Sequence, residues 1–256
     1  MIPAKILELT LKVFCIGVLF FISIASTSGQ GMKHASLLEF GYGFQIPLLD
    51  MKDRFGTSNY LGANYEYMWL KSKLFAGADG IFIFGNTVKE DVLLGLRTFD
   101  GTIIGKNGQQ GDVNLKERGY YLGLHAGKIF STTKAENNVT GVRVQLGAGF
   151  LQHKIRIQDN SRSVVALEKD NLKGYDRLTN GPALHLGVGF QYQNPKNNFH
   201  FNIMSDIHAA STRSRRDFDN ATGGYLEERR LDILAGLRLS YVVLISRSTT
   251  ADHIYY

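Results

Sequence analysis

A chain of 256 residues with 44% hydrophobic residues, 28 Gly and 4 Pro is long enough for one large domain, and its glycine lacks the period of collagen. The net charge of +6 is scattered along the chain rather than gathered in runs, which argues against nucleic acid as a partner. The single Cys15 excludes a disulfide framework and a cysteine-based metal site.

Lys5 and Lys12 precede an apolar run from Val13 to Phe21, and small and polar residues follow from Ser26 to Gln30. This reads as a secretory signal peptide over residues 1–29, cleaved between Thr27 and Gln30. The run is shorter than the ~20 residues of a spanning helix. Cys15 lies inside it rather than at its end, so a lipoprotein is not expected and the mature chain carries no thiol.

From residue 30 to 245 the chain alternates with period two, the mark of strands with two unlike faces. Leu38, Phe40, Tyr42, Phe44 and Ile46 oppose Glu39, Gly41, Gly43 and Gln45. Next, Leu61 to Trp69 sets Tyr65 and Tyr67 against Asn64 and Glu66; then Ala76, Ala78, Phe82 and Phe84 oppose Gly77 and Asp79. Tyr120, Leu122 and Leu124 oppose Gly123 and His125, and Val142, Val144 and Leu146 oppose Arg143, Gln145 and Gly147. Leu184, Leu186 and Val188 oppose His185 and Gly187; Phe201, Ile203 and Ile207 oppose Asn202, Asp206 and His208. The last segment puts Leu231 to Ile245 on one face and Arg230, Asp232, Gly236 and Arg238 on the other.

Such strands fit a soluble barrel with its apolar face inward or a membrane barrel with that face outward. Nearly every strand glycine lies on the polar face, Gly80 excepted, and small residues crowd the interior of a narrow barrel. Connections alternate in length: turns near 70–73, 131–139 and 194–197 separate long loops at 47–58, 85–117, 158–181 and 209–229. Aromatics gather toward both ends of the apolar face, with Trp69, Phe130, Tyr192, Phe199 and Tyr241 at one and Phe82, Phe84 and Tyr120 at the other. The expected fold is an all-β, transmembrane, antiparallel up-and-down β-barrel of eight strands in a Gram-negative outer membrane, with short periplasmic turns and long external loops. The apolar residues of Asp91 to Arg97 keep ten strands open as the alternative.

The polar face becomes the lumen. Glu39, Glu66, Asp79, His125, Arg143, His185, His200, Asp206, Asp232 and Arg238 are expected to form its polar network, because unpaired charges in a narrow interior are costly. His200 and His208 are roughly 26 Å apart along a strand; His185 and His200, on neighbouring strands, are the pair that could meet. No tight ligand pattern emerges, so neither a metal nor a cofactor is expected. Ser205, Ser240, His153 and Ser161 form no visible nucleophile–base cluster, and no catalytic residue is assigned. At the outer rim, Lys154, Arg156, Arg213, Arg215 and Arg216 suit contact with lipopolysaccharide phosphates or a partner. Residues 246–256 read as a periplasmic tail, whose Ile254, Tyr255 and Tyr256 suit docking against the barrel mouth or a partner, with a frayed terminus as the equal alternative.

Five stretches carry a resemblance: Phe84 to Asp91, His153 to Asp159, Lys173 to Gly181, Arg230 to Leu234, and the ending Ile254-Tyr255-Tyr256. Through them the chain resembles a family of uncharacterised outer-membrane barrel proteins of Bacteroidota-type bacteria. The resemblance implies fold and location, and it carries over no functional residues. The expected role is a structural or interaction barrel with a plugged polar lumen, alone or in a larger outer-membrane assembly, in contact with membrane lipid. The alternatives are a lipid-modifying or proteolytic barrel enzyme and a narrow pore.

Overall fold

The computed structural model describes residues 34–131, 139–160, 163–168, 171–193, 199–225 and 229–247. The expected signal peptide and the tail end at Ile254–Tyr256 lie outside the described residues. Eight strands follow one another: β1 (His34–Leu49), β2 (Ser58–Trp69), β3 (Leu74–Gly85), β4 (Val113–Ser131), β5 (Gly141–Asp159), β6 (Thr179–Tyr192), β7 (Phe201–Ser214) and β8 (Arg229–Arg247). Each pairs antiparallel with the next, and β8 returns to β1 to close the barrel. The count is eight, not ten. Within 91–97 the chain makes a 3-10 turn at Leu94–Leu96 and one isolated bridge from Arg97 to Ile103, with no strand of the barrel, and Val92 and Leu93 are buried.

The two faces of the strands are inverted relative to a soluble protein. Phe40, Leu61, Phe82, Leu122, Leu146, Leu184, Ile203 and Leu237, one from each strand, are 50–67% exposed. Arg143, Glu66 and Asp232 are 0% exposed. An apolar outer band around a charged interior is the arrangement a bilayer imposes, since hydrocarbon solvates the former and cannot solvate the latter. The chain is therefore a closed up-and-down barrel of the outer-membrane type.

The register also revises several boundaries. β1 continues to Leu49 through Pro47, where the pairing with β2 has ended and only β8 remains alongside. A strand paired on one edge is where a missing N–H is tolerated. β7 runs on to Ser214 because Ala209 to Arg213 pair with Ile233 to Arg229. The long connections accordingly shrink to 50–57, 86–112, 160–178 and 215–228. β8 extends two residues past Ile245, with Ser246 and Arg247 paired to Ser36 and Ala35 across a register shift. Backbone pairing at a strand end needs no apolar side chain, which is why polarity placed that end too early.

The interior is layered rather than uniformly polar. At the short-turn end lies an apolar layer of Ala35, Leu37, Met68, Leu70, Phe75, Ile129, Val139 and Val242. In the half toward the long loops, Tyr60, Ile81, Ile83, Tyr121, Leu151, Ile155 and Leu234 pack inward against loop residues Met51, Phe55, Val92, Leu93, Ile103, Val164 and Leu167. Met51 belongs to the short helix α1 (Asp50–Arg54), which folds the first long connection over the barrel end. Phe55, just after it, bridges to Val88 of the second. The charged groups of Glu39, Glu66, Asp79, His125, Asp206 and Arg238 occupy the middle, between these two apolar layers, while Asp232 and His153 lie within the loop-side one.

Candidate functional site in the lumen and at the outer rim

Glycine makes room for the charged layer. Across the ladders Glu66 lies opposite Gly77, Asp79 opposite Gly123, Arg143 opposite Gly189 and Arg238 opposite Gly43; His125 and His185 both neighbour Gly147. A Cβ at Gly77 would stand 3.0 Å from Glu66 Cγ and from His125 Cε1, so a side chain there would collide with the network. Alternating large charged and absent side chains thus fit a barrel too narrow for both.

Arg143 is the centre of one cluster. Its Nη1 donates to Glu39 Oε1 at 2.9 Å, to Glu66 Oε2 at 3.1 Å and to Gln191 Oε1 at 2.8 Å, and its Nε donates to Gln145 Oε1 at 2.9 Å. Nη2 bonds Glu66 Oε1, and the guanidinium carbon lies 4.0 Å from the Phe75 ring centre. His125 continues the chain, with Nε2 3.1 Å from Glu66 and Nδ1 2.8 Å from Asp79. Asn202 and Asn64 donate to the Glu39 carboxylate at 2.8 and 3.3 Å.

Asp206 organises a second cluster: Arg238 forms an ion pair with it, Nε lying 3.1 Å from Oδ2 and Nη2 donating to Oδ1 at 3.4 Å, and His185 Nε2 at 2.9 Å and the Tyr60 hydroxyl at 3.2 Å complete its partners. His185 stacks on His208 with centroids 4.3 Å apart and planes 7° apart. The partner of His185 is therefore His208, paired with it in the β6–β7 register, and not His200. His200 is buried at the foot of β7, just before Phe201, at the other end of that ladder. Among the described residues, no three His, Cys, Asp or Glu side chains are placed to hold a metal.

Asp232 stands higher, with His153. The His153 Nε2–Asp232 Oδ2 distance is 2.8 Å, Thr212 donates to the same oxygen at 2.5 Å, and Arg230 Nε lies 3.7 Å from Oδ1. The sequence left His153 out of the expected lumen network. His153 is fully buried, because the inward parity of Arg143 and Gln145 continues through Leu151 to His153 and Ile155. Continuing that parity two more turns of the pleat would have found it.

The loops are tied down by ion pairs that sequence could not have matched. Arg54 Nε meets Glu90 at 2.8 Å, and Arg177 reaches both Glu90 at 3.1 Å and Asp219 at 2.6 Å. Arg216 clasps Asp176 at 2.7 and 2.5 Å, and this hydrogen-bonded carboxylate holds its guanidinium above the ordinary value. Arg216 is thus a loop fastener. Lys154 lies 3.9 Å from that same carboxylate, whereas Arg156, Arg213 and Arg215 are exposed. On the outer face Lys116 pairs with Arg156 and Arg118 with Lys154, so two cations missed in the sequence complete a like-charge ladder.

The Arg238–Asp206 pair yields a measurable expectation. Replacing Arg238 by Leu leaves Asp206 with only neutral or titratable partners and is expected to cost about 3 kcal/mol, while R238L/D206L together recovers most of it. Urea unfolding in lipid vesicles reads both variants. Additive losses would show that the two groups are not energetically coupled.

No protein-family model and no curated protein sequence matches the chain. Solved structures similar to it include Ail, the attachment invasion locus protein of Yersinia pestis, in complex with the heparin analogue sucrose octasulfate. That match has 14% identity, covers 83% of this chain and 99% of Ail, and has a TM-score of 0.37. Neisserial surface protein A gives 10% identity, 81% and 96% coverage and a TM-score of 0.40. The outer membrane protein OprG from Pseudomonas aeruginosa gives 12% identity, 84% and 99% coverage and a TM-score of 0.38. At these identities and scores none of them assigns a role to any residue here.

Proposed function

We propose that the chain is an integral outer-membrane protein with a structural or interaction role, exported by its residues 1–29 and closed to transport through its lumen. One observation carries this reading: every strand exposes large apolar side chains outward while Glu39, Glu66, Asp79, Arg143, Asp206 and Arg238 are buried within. Two apolar layers bound the charged one, which supports a plug rather than a water-filled path. Among the described residues no open nucleophile–base pair supports catalysis, and His153, which pairs with Asp232, is sealed from solvent.

The rim supports contact with phosphorylated outer-leaflet lipid. Lys116 opposite Arg156 and Arg118 opposite Lys154 place like charges directly across a ladder, an arrangement that costs stability until an anion sits between them. Membership of a Bacteroidota-type family rests on the five stretches quoted above, and docking of the tail through Ile254, Tyr255 and Tyr256 on its composition. A place in a larger outer-membrane assembly is the form of interaction that such a tail would serve.

In cells, the protein is expected in the outer-membrane fraction, and unheated samples should migrate differently from boiled ones because a closed barrel resists detergent unfolding. In planar bilayers it should give no steady ion current. Recovery from the soluble periplasm would end the membrane reading, and steady conductance would end the plugged-lumen reading.

A further inference from the structure

The β6–β7 ladder is interrupted near the long loops. Asn180 pairs with Arg213 and Ala183 with Ala210, but Gly181 and Pro182 between them have no partner in the register. Pro182 has no N–H to give to a ladder. At this break a cleft of about 310 Å³ opens on the outer face, lined by Asn180, Pro182, Ser211, Arg213, Arg215 and Arg229.

Three guanidinium groups and, among the described residues, no carboxylate line that cleft. Arg213 lies directly opposite Arg229 across the β7–β8 ladder, and both are exposed. No ion pair engages either one among the described residues. Arg215 donates its Nε to Asn180 Oδ1, which ties it to the cleft wall. Neighbouring arginines are treated differently: Arg216 is taken by Asp176, and Arg177 by Glu90 and Asp219. Among the described residues, acidic side chains thus neutralise the arginines beside the cleft and not those that line it. Like charges held opposite each other favour an anion between them, and arginine forks match the oxygens of a phosphate.

Position selects the source of the anion. Directly along the outward faces from the cleft come Leu184 after Pro182 and Leu231 after Arg229, 67% and 48% exposed, where the apolar band begins. An anion here sits at the edge of the hydrocarbon, with apolar surface running away from it toward the membrane centre. Free phosphate would gain nothing from that surface, whereas a lipid would lay its chains along it.

We propose that the cleft between β6, β7 and β8 binds the phosphate headgroup of an outer-leaflet lipid through Arg213, Arg215 and Arg229. The inference rests on the outer-membrane reading above and adds to it a built site and a ligand chemistry. It is tested on the folded, full-length mature barrel in detergent, titrated with purified lipid A, a diphosphorylated and acylated glucosamine disaccharide. R213Q/R229Q is expected to weaken binding roughly tenfold or more, while K52Q, at an exposed cation of α1 outside the cleft, leaves it unchanged. Dephosphorylated lipid should bind the wild type as weakly as intact lipid binds R213Q/R229Q, an arm that needs no variant to fold. Excess inorganic phosphate should displace little of the bound lipid. Unchanged binding by R213Q/R229Q, equal binding of dephosphorylated lipid, or full displacement by inorganic phosphate would each overturn the proposal. Cell fractionation is scored separately, so a barrel that reaches the outer membrane but fails these arms removes the cleft alone.

Discussion

Replacing Arg143 by Leu is expected to cost the barrel about 5 kcal/mol, the upper end of what breaking a buried ion pair removes. The reason is that one guanidinium neutralises two carboxylates. Without it, Glu39 retains only the amides of Asn64 and Asn202, and Glu66 only His125. Gln145 and Gln191 lose their donor, and Phe75 loses the cation over its ring. R143K should fall between, since an ammonium keeps the charge but cannot fork across two acceptors. E39Q/E66Q in the R143L background should restore part of the loss by removing the stranded charges. Trp69, the only tryptophan, is outward-facing and partly exposed beside the short turn at 70–73, so its emission reports the passage from lipid to water. Urea titrations in vesicles followed at Trp69 give the numbers. A loss for R143L under about 1 kcal/mol would mean that the cluster does not hold the barrel together.

The fold was legible because a barrel writes its two faces into alternate residues. The segment from Leu231 to Ile245 shows this most plainly, and its register with β1 and β7 follows the alternation. Lumenal residues could be named for the same reason: Glu39, Asp79 and Arg238 differ in parity from their apolar neighbours. Partners were harder. That Arg143 reaches Glu39 and Glu66, 104 and 77 residues away, depends on strand stagger, which alternation does not encode. The pairing of His185 with His208 rather than His200 failed on the same point. Long loops were least legible, because Phe55, Leu93, Val164 and Leu167 bury themselves without any period. The apolar residues Val92, Leu93, Leu94 and Leu96 hinted at an extra strand pair in 91–97, whereas Val92 and Leu93 are buried where the loops close the barrel end. At the rim, alternation could not separate the cations: Arg216 is consumed by Asp176, while Arg229, at a strand start, faces the cleft.

Phe55 offers the second large effect, and a local one. It is fully buried at the end of α1, pairs with Val88, and sets its ring edge-on to His153 at 5.5 Å and 88°. Truncation to Ala removes most of an aromatic side chain from a layer that also holds Met51, Val92 and Leu93, a change expected to cost about 4 kcal/mol. That cost falls on the packing of loops over the barrel end. The strands below have their own ladders and the charged layer, so loop opening and barrel unfolding should separate. Protease cleavage within 86–112 should then accelerate by roughly a thousandfold, the population shift that about 4 kcal/mol produces. The urea midpoint seen by Trp69, at the opposite end, should move little. V88A should act in the same direction and more weakly, because Val88 is only partly buried against this layer. Unchanged cleavage in F55A would show that the loops are held by their ion pairs at Glu90, Arg177 and Asp219 rather than by this apolar layer. A Trp69 midpoint that falls together with loop protection would instead make loops and strands one cooperative unit, with the apolar layer as part of the barrel's own core.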